Sequence, residues 1–288
     1  MNKKYVIIAA FFISFVNAIH AQISLTEQTY TQDFDTLTQN VDAGLRTWAD
    51  NSTIQGWYSM TVTDDGGNVT TDNTHYRVSN GNNQSGSGSS VYAFRRNSSD
   101  GTLGSLSTTT SNGVFGAQFA NNTGSTITSL SISYSAEQWS WGVGTQLNSL
   151  VFSYSTDATS LSTGNWTEVS SLSFTALYAD GTGTALDGTS DTIFNGSNAY
   201  IEKTAGEAGG PGALNYVAVS GTITGLSVAD SENIWIKWVD NFSGETGYGQ
   251  GLAIDDLNVT AAVPEPSTVA LCVTALIGVL CLRRRRNR

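Results

Sequence analysis

Carboxylates are the reactive side chains this sequence offers in quantity: 24 Asp and Glu against 13 Lys and Arg in 288 residues. Glu137, Glu168, Glu202, Glu207, Glu232 and Glu245 are spread through its middle. Two carboxyls facing each other across roughly 5–9 Å would make a glycosidase-type pair. No alternating motif sets two of them on one strand face, so most read as solvated charges. Calcium suits this composition better, because it collects about 6–8 oxygen ligands. Asp33 and Asp35 flank Phe34 near the start, and Asp255 and Asp256 lie near the end. Side-by-side terminal strands would bring Asp35 to Asp255 or Asp256 as a calcium site. Alternation lets only one of the last two point inward. Asp64-Asp-Gly-Gly-Asn68 reads as a hairpin turn.

Other catalytic groups are scarce. His20 and His75 are the only histidines, and any Ser-His-Asp arrangement would have to use His75. In Thr74-His-Tyr-Arg77 it reads as a structural or surface residue. Cys272 and Cys281 both lie in an apolar tail, so the middle has no thiol nucleophile, no disulfide and no thiolate for zinc. No catalytic residue is assigned. Tryptophan is the residue to watch, since an exposed indole stacks on sugar rings. There are seven: Trp48, Trp57, Trp139, Trp141, Trp166, Trp235 and Trp238. Glu137, Trp139 and Trp141 share one strand face and oppose Leu130, Ile132 and Tyr134 if that strand runs on. They are the candidate glycan platform, unless a bulge or a covering loop buries them. Trp235 and Trp238, three apart, face opposite ways.

These residues need strands to position them. From Ile23 to Thr260, short apolar alternations recur between Gly, Asn, Asp and Ser. Strands are expected at 30–37, 56–62, 75–78, 91–94, 114–120, 126–134, 149–154, 167–172, 216–223, 234–239 and 252–259. Residues 79–90 and 180–212 read as long surface loops. No segment keeps a 3.6-residue apolar period. The fold class is all-β, a jelly-roll-like β-sandwich. Between Gln22 and Val263 six basic residues face 23 acidic ones, a net charge of −17. Such a surface repels phosphate backbones, which excludes nucleic acid as a partner.

The two ends carry addresses. Lys3 and Lys4, an apolar stretch over Tyr5–Val16 and a small residue at Ala21 make residues 1–21 a signal peptide for the Sec export machinery. At the other end stand Pro264-Glu265-Pro266, an apolar run over Val269–Leu282, and the membrane-stop charges Arg283, Arg284, Arg285 and Arg286. The run falls short of the about 20 residues a stable span needs, so it suits a transient anchor. This order resembles the PEP-CTERM sorting signal. The resemblance implies an exosortase that recognises the Pro-Glu-Pro motif and removes the helix. Residues 22–262 are then the delivered β-sandwich, and 263–288 the sorting signal.

A second resemblance runs through the middle. Gln32-Asp-Phe-Asp-Thr-Leu37, Trp48-Ala-Asp-Asn-Ser-Thr-Ile-Gln-Gly-Trp-Tyr58, Phe115-Gly-Ala-Gln-Phe-Ala-Asn-Asn-Thr-Gly124, Glu137-Gln-Trp139 and Leu252-Ala-Ile-Asp-Asp-Leu-Asn-Val259 occur in that order. They resemble a jelly-roll domain common in secreted bacterial proteins and often compared with carbohydrate-binding modules. That likeness implies structural calcium with an acid from the final strand, Asp255 or Asp256. The leading expectation is a non-catalytic exported protein that associates with surface polysaccharide or biofilm matrix. A glycan hydrolase or lyase and a purely structural adhesion protein are the alternatives.

Overall fold

The computed structural model describes residues 22–37, 44–82, 90–96, 100–143, 145–179, 184–194, 200–203, 210–242 and 247–263. The expected signal peptide, residues 1–21, and the tail from Pro264 onward lie outside them. In chain order the strands are β1 (Ile23–Ser24), β2 (Thr29–Gln32), β3 (Leu45–Thr47), β4 (Trp57–Asp65), β5 (Asn68–Asp72), β6 (His75–Ser79), β7 (Val91–Phe94), β8 (Leu103–Ser105) and β9 (Ser111–Ala120). They continue with β10 (Ile127–Ser140), β11 (Ser149–Ser155), β12 (Thr167–Glu168), β13 (Phe174–Thr175), β14 (Thr192–Phe194), β15 (Tyr200–Glu202), β16 (Tyr216–Val228), β17 (Asn233–Asn241) and β18 (Gly251–Ala262). Among the described residues no helix is long and apolar enough to cross a membrane.

Two sheets face each other. One runs β12-β11-β17-β9-β4-β5, with β1 beside β9 and β13 beside β11. The other runs β16-β10-β18-β8-β7-β6-β3, with β2 beside β18. Alternation explains the core between them. Leu130, Ile132, Tyr134 and Ala136 of β10 point inward, and so do Phe115, Ala117 and Phe119 of β9. Ile127 breaks that phase yet is buried, because the pairing register shifts between Ile127 and Ser129. Trp238 sits at the centre, with Phe115, Phe152, Tyr134 and Trp57 around it at ring separations of 5.7, 5.1, 5.5 and 6.3 Å.

Two local readings shift. The first long strand stops at Gln32, because Phe34 takes φ +55 and turns inward against Trp57. Residues 167–172 divide into β12 and a 3-10 turn at Ser170–Leu172, whose Leu172 enters the core. The Asp64–Asn68 turn joins β4 to β5. Gly66 and Gly67 both have positive φ, and Gly67 N–H donates to Asp64 Oδ1 at 2.7 Å. Only glycine adopts that pair of conformations at no steric cost.

Candidate functional site

Strand β10 continues past Tyr134 and places Glu137 and Trp139 on the face opposite Ala136. That face is covered. Glu137, Trp139 and Trp141 are 3%, 0% and 2% exposed. Tyr92, Phe94, Leu106 and Ala253 pack around Trp139, and Phe94 stacks on its indole at 5.9 Å. Segment 184–194 lies across the other side. Leu186 N–H donates to Trp139 O at 2.7 Å. Gly188 comes so near that any Cβ would collide with the indole. Leu186 and Ile193 bury Trp141. Arg96 Nη1 clamps this cover by donating to buried Asp187 Oδ2 at 2.5 Å. The expected exposed platform is therefore corrected. Glu137 instead accepts from Trp139 Nε1 at 2.9 Å. Burial, then the charge of Asp255, holds its carboxyl well above the usual range.

Of the aspartates expected to bind calcium, Asp35 and Asp255 come together around one arginine and Asp256 stays exposed. Strand β2 lies beside β18, with Gln32 opposite Leu257. Asp35, Asp100 and Asp255 gather about the fully buried Arg95. Asp35 Oδ1 accepts from Gly101 N–H at 2.8 Å, and Arg95 Nη2 donates to Leu37 O at 3.1 Å. Asp255 is buried, whereas Asp256 is exposed at φ +49 and donates its N–H to Asp255 Oδ1 at 2.7 Å. Burial, with the charges of Asp256, Asp100 and Asp35 adding to it, pushes Asp255 up to about 8. A guanidinium thus already supplies positive charge among these acids. Among the described residues, no three of His, Cys, Asp or Glu are placed to hold a metal ion. The calcium set Asp35, Asp255 and Asp256 is not assembled. His75 is half-buried, with Nδ1 3.0 Å from Asp72 Oδ2 and 2.8 Å from Thr74 Oγ1.

An open groove lies elsewhere, on the outer face of the β12-β11-β17-β9 sheet. Its volume is about 280 Å3, and Trp166, Glu168, Lys237, Asn112, Ser153 and Asn241 line it with Val151, Val239 and Asp240. The polar loop before Trp166 is folded on Asp157. Asp157 Oδ1 accepts from Ser155 Oγ and Asn165 N–H, both at 2.8 Å, and Oδ2 from Asn165 Nδ2 at 2.6 Å. Gly164 at φ +81 turns the chain against Ala158. Trp166 is held there by Nε1–H donating to Thr163 O at 2.7 Å and by Lys237 Nζ 3.8 Å from its ring centroid. Such a contact is worth about 0.5–2 kcal/mol. Lys237 Nζ also donates to Leu161 O at 2.9 Å, and burial lowers its pKa to about 8. Beneath this loop Trp235 is buried against Tyr58, Ala158 and Leu161. Trp235 and Trp238 thus face opposite sides of β17, and both are buried.

The groove presents a partly exposed indole, a carboxylate, an ammonium and two amides, with Ser153 buried in its floor. That is the mixture of apolar face and convergent polar groups that sugar hydroxyls and ring C–H groups require. It does not present an acid pair. Asp240 is fully buried, accepts from Asn148 Nδ2 at 2.6 Å and contacts Ser105 and Ser107. Glu168 is exposed on β12.

Residues 262–286 match the PEP-CTERM protein-sorting motif. The chain thus carries a PEP-CTERM sorting motif behind an all-β sandwich. The match contains Pro264, Glu265 and Pro266 and the arginines Arg283, Arg284, Arg285 and Arg286. A PEP-CTERM motif implies exosortase processing, export and a surface or extracellular destination. No curated protein matches the chain. Among solved structures, TmCBM61 in complex with β-1,4-galactotriose aligns at 10% identity and TM-score 0.30, over 62% of this chain and 86% of that one. The binding domain of botulinum neurotoxin serotype G aligns at 11% identity and TM-score 0.27, over 74% and 50%. The CBM22-1–GH10 modules of Clostridium thermocellum xylanase 10B with xylohexaose align at 10% identity and TM-score 0.23, over 85% and 27%. Likeness this distant carries no argument about the groove.

The groove residues were separable in sequence only in part. Trp166 is the one aromatic residue between Tyr154 and Phe174, which marks it as an indole without an alternating strand around it. Its neighbours come from β9, β11 and β17, whose adjacency no local pattern announces.

Proposed function

We propose that this chain is a non-catalytic, exported polysaccharide-binding protein whose jelly-roll-like domain, residues 22–262, holds neutral or weakly charged glycan in the Trp166 groove. Residues 1–21 direct export through the Sec machinery, and residues 263–288 anchor the chain transiently until an exosortase cuts near Pro264-Glu265-Pro266. The delivered protein then rests at the cell surface or in the extracellular matrix. The observation that carries the binding role is Trp166, fixed by Thr163 and Lys237 on the wall of an open groove. Glycoside hydrolysis needs two carboxylates across an open gap, and Glu168 faces no second exposed carboxylate among the described lining residues.

Retention of the protein on immobilised polysaccharide from the producing cell tests the reading. Trp166→Ala is expected to weaken retention about tenfold, the loss of one stacked ring, while the protein still melts cooperatively, its stability lower by the about 0.5–2 kcal/mol of the lost Lys237 contact. Absence of retention by the wild type on any surface glycan would sink it. The sorting step has its own check. The released protein is expected to lack the arginine cluster, and an intact mass that includes Arg288 would refute the cut.

A further inference from the structure

Side-chain amines are rare in this chain. Of its four lysines, Lys3 and Lys4 lie in the expected signal peptide, and Lys203 and Lys237 are the two of residues 22–262. Lys203 is enclosed: it is 2% exposed, its Nζ donates to Ala213 O, and it lies 4.3 Å from the Tyr178 ring centroid. Lys237 is half-buried and lines the open groove beside Trp166. The four arginines of the same region stay charged and cannot serve as nucleophiles.

The strands around Lys237 leave it approachable. Its register partners are Gly116 on β9 and Ser153 on β11, and Ser153 in turn faces Glu168 on β12. Gly116 has no side chain to cover the lysine stem, and a Cβ there would meet Lys237 Cβ at 2.9 Å. Of the three Nζ–H groups one donates to Leu161 O. Glu168 stands two strands away, roughly 10 Å between backbones. Among the described residues no carboxylate forms an ion pair with Nζ. The nitrogen is thus partly removed from water with no anion to compensate, and that burial brings it down to about 8. About a tenth of it is then neutral amine at pH 7, against less than about one part in a thousand for an ordinary lysine. Desolvated lysines of this kind condense with carbonyl groups.

We propose that Lys237 is a covalent capture site for sugar carbonyls, its Nζ condensing with the open-chain aldehyde at the reducing end of a glycan that lies on Trp166. This rests on the reading of the groove as a glycan site. The net charge of −17 disfavours an anion as partner for the ammonium, whereas the aldehyde is neutral and arrives with the sugar itself. The chemistry balances without a cofactor. Nζ attacks C1, and the C–N bond forms as the C=O π bond breaks. The carbonyl oxygen takes both amine protons and departs as water, leaving an imine. C2 and its hydroxyl then each lose a proton to solvent, while the nitrogen and C1 each gain one. The product is a ketoamine, with C1 reduced and C2 oxidised inside one sugar. Reversible binding thereby becomes permanent attachment.

Trapping with cyanoborohydride tests this on the full chain in mild detergent. Glycolaldehyde is the probe that needs no groove, and reducing oligosaccharides cut from the polysaccharide of the producing cell are the probe that does. Peptide mapping should find both on Lys237, at least about tenfold above Lys203. Oligosaccharides first reduced with borohydride should leave no adduct, and Lys237→Arg should remove the adduct from the intact mass. Competitive labelling with acetic anhydride reads the amine without mutation: the rate at Lys237 should rise nearly tenfold per pH unit and level off above about pH 8. Lys237 labelled no faster than Lys203, or a rate still climbing at pH 10, would overturn the proposal whatever the groove binds. So would a protein retained on the polysaccharide whose Lys237 takes glycolaldehyde but not the reducing oligosaccharides. Selective glycolaldehyde labelling of a protein that no surface glycan retains would uphold the carbonyl trap and sink the groove reading instead.

Discussion

Arg95→Met is expected to lower the unfolding free energy at neutral pH by about 3–5 kcal/mol, the range for removing one member of a buried charge cluster. The reason lies in what remains. Arg95 is fully buried, and Asp35, Asp100 and Asp255 act on it electrostatically. Methionine fills similar volume but leaves those acids without their cation. It also removes the donor to Leu37 O, which ties the segment after β2 to the end of β7. Burial, then the charge of Asp35, already raises Asp100, so the acids can respond by taking up protons. The cost should therefore shrink at pH 5, and Asp100→Asn added to Arg95→Met should recover part of it at pH 7. Urea denaturation of the three variants at both pH values measures this. An Arg95→Met protein as stable as the wild type at pH 7 would show that the guanidinium is dispensable. Chelation bears on the same cluster: EDTA is expected to leave the melting temperature unchanged, and a fall on chelation would put a metal among these aspartates after all.

How much of this was legible beforehand depends on distance along the chain. Leu130, Ile132 and Tyr134 announced the inward face of β10, and Asp64-Asp-Gly-Gly-Asn68 announced its turn, because both are local periodicities or local backbone demands. The side of β10 carrying Glu137 and Trp139 was also legible, but its fate was not. What buries Trp139 is segment 184–194, and the clamp that holds it there joins Arg96 to Asp187, 91 residues apart. Arg95 and Arg96 look alike in sequence, two charges at the end of a strand. The chain turns after β7 so that one enters the protein while the other stays part-exposed. Asp35 and Asp255 were brought together by the pairing of β2 with β18, as side-by-side terminal strands require. The buried arginine waiting between them left no local signature. Trp166 was in view as one of seven tryptophans, but its groove was not, because that exists only where β11 and β17 are neighbours.

The second large effect is on pH. Melting temperature should be highest near pH 4–5 and fall steadily toward pH 8, the reverse of ordinary acid denaturation. Three buried acids determine the sign. Burial pushes Asp240 up to about 6 and Asp255 up to about 8, and holds Glu137 well above the usual range. In the unfolded chain each titrates near pH 4. Between about pH 4 and each folded value, the folded protein keeps a proton that the unfolded chain has released. Raising the pH through that window therefore removes stability. The contribution is complete below about pH 4, is lost for Asp240 by about pH 6, and is lost for Asp255 by about pH 8. At about 1.4 kcal/mol per pH unit, Asp240 alone accounts for on the order of 3 kcal/mol, and Asp255 for more. Asp157 opposes this, since hydrogen bonds from Asn165 and then Ser155 lower its pKa. It is exposed, so water already solvates its charge and its weight is small. Circular-dichroism melting from pH 4.5 to 8.5 reads the profile directly, at about 2–4 °C per kcal/mol for a domain of this size. Asp255→Asn should flatten the upper half and exceed the wild type at pH 8, because an amide keeps the neutral shape without the charge. Asp240→Asn should flatten only the part below about pH 6. A wild-type melting temperature that climbs between pH 5 and 8 would mean these carboxyls ionise freely inside the fold, with Arg95 sufficient to hold Asp255 charged.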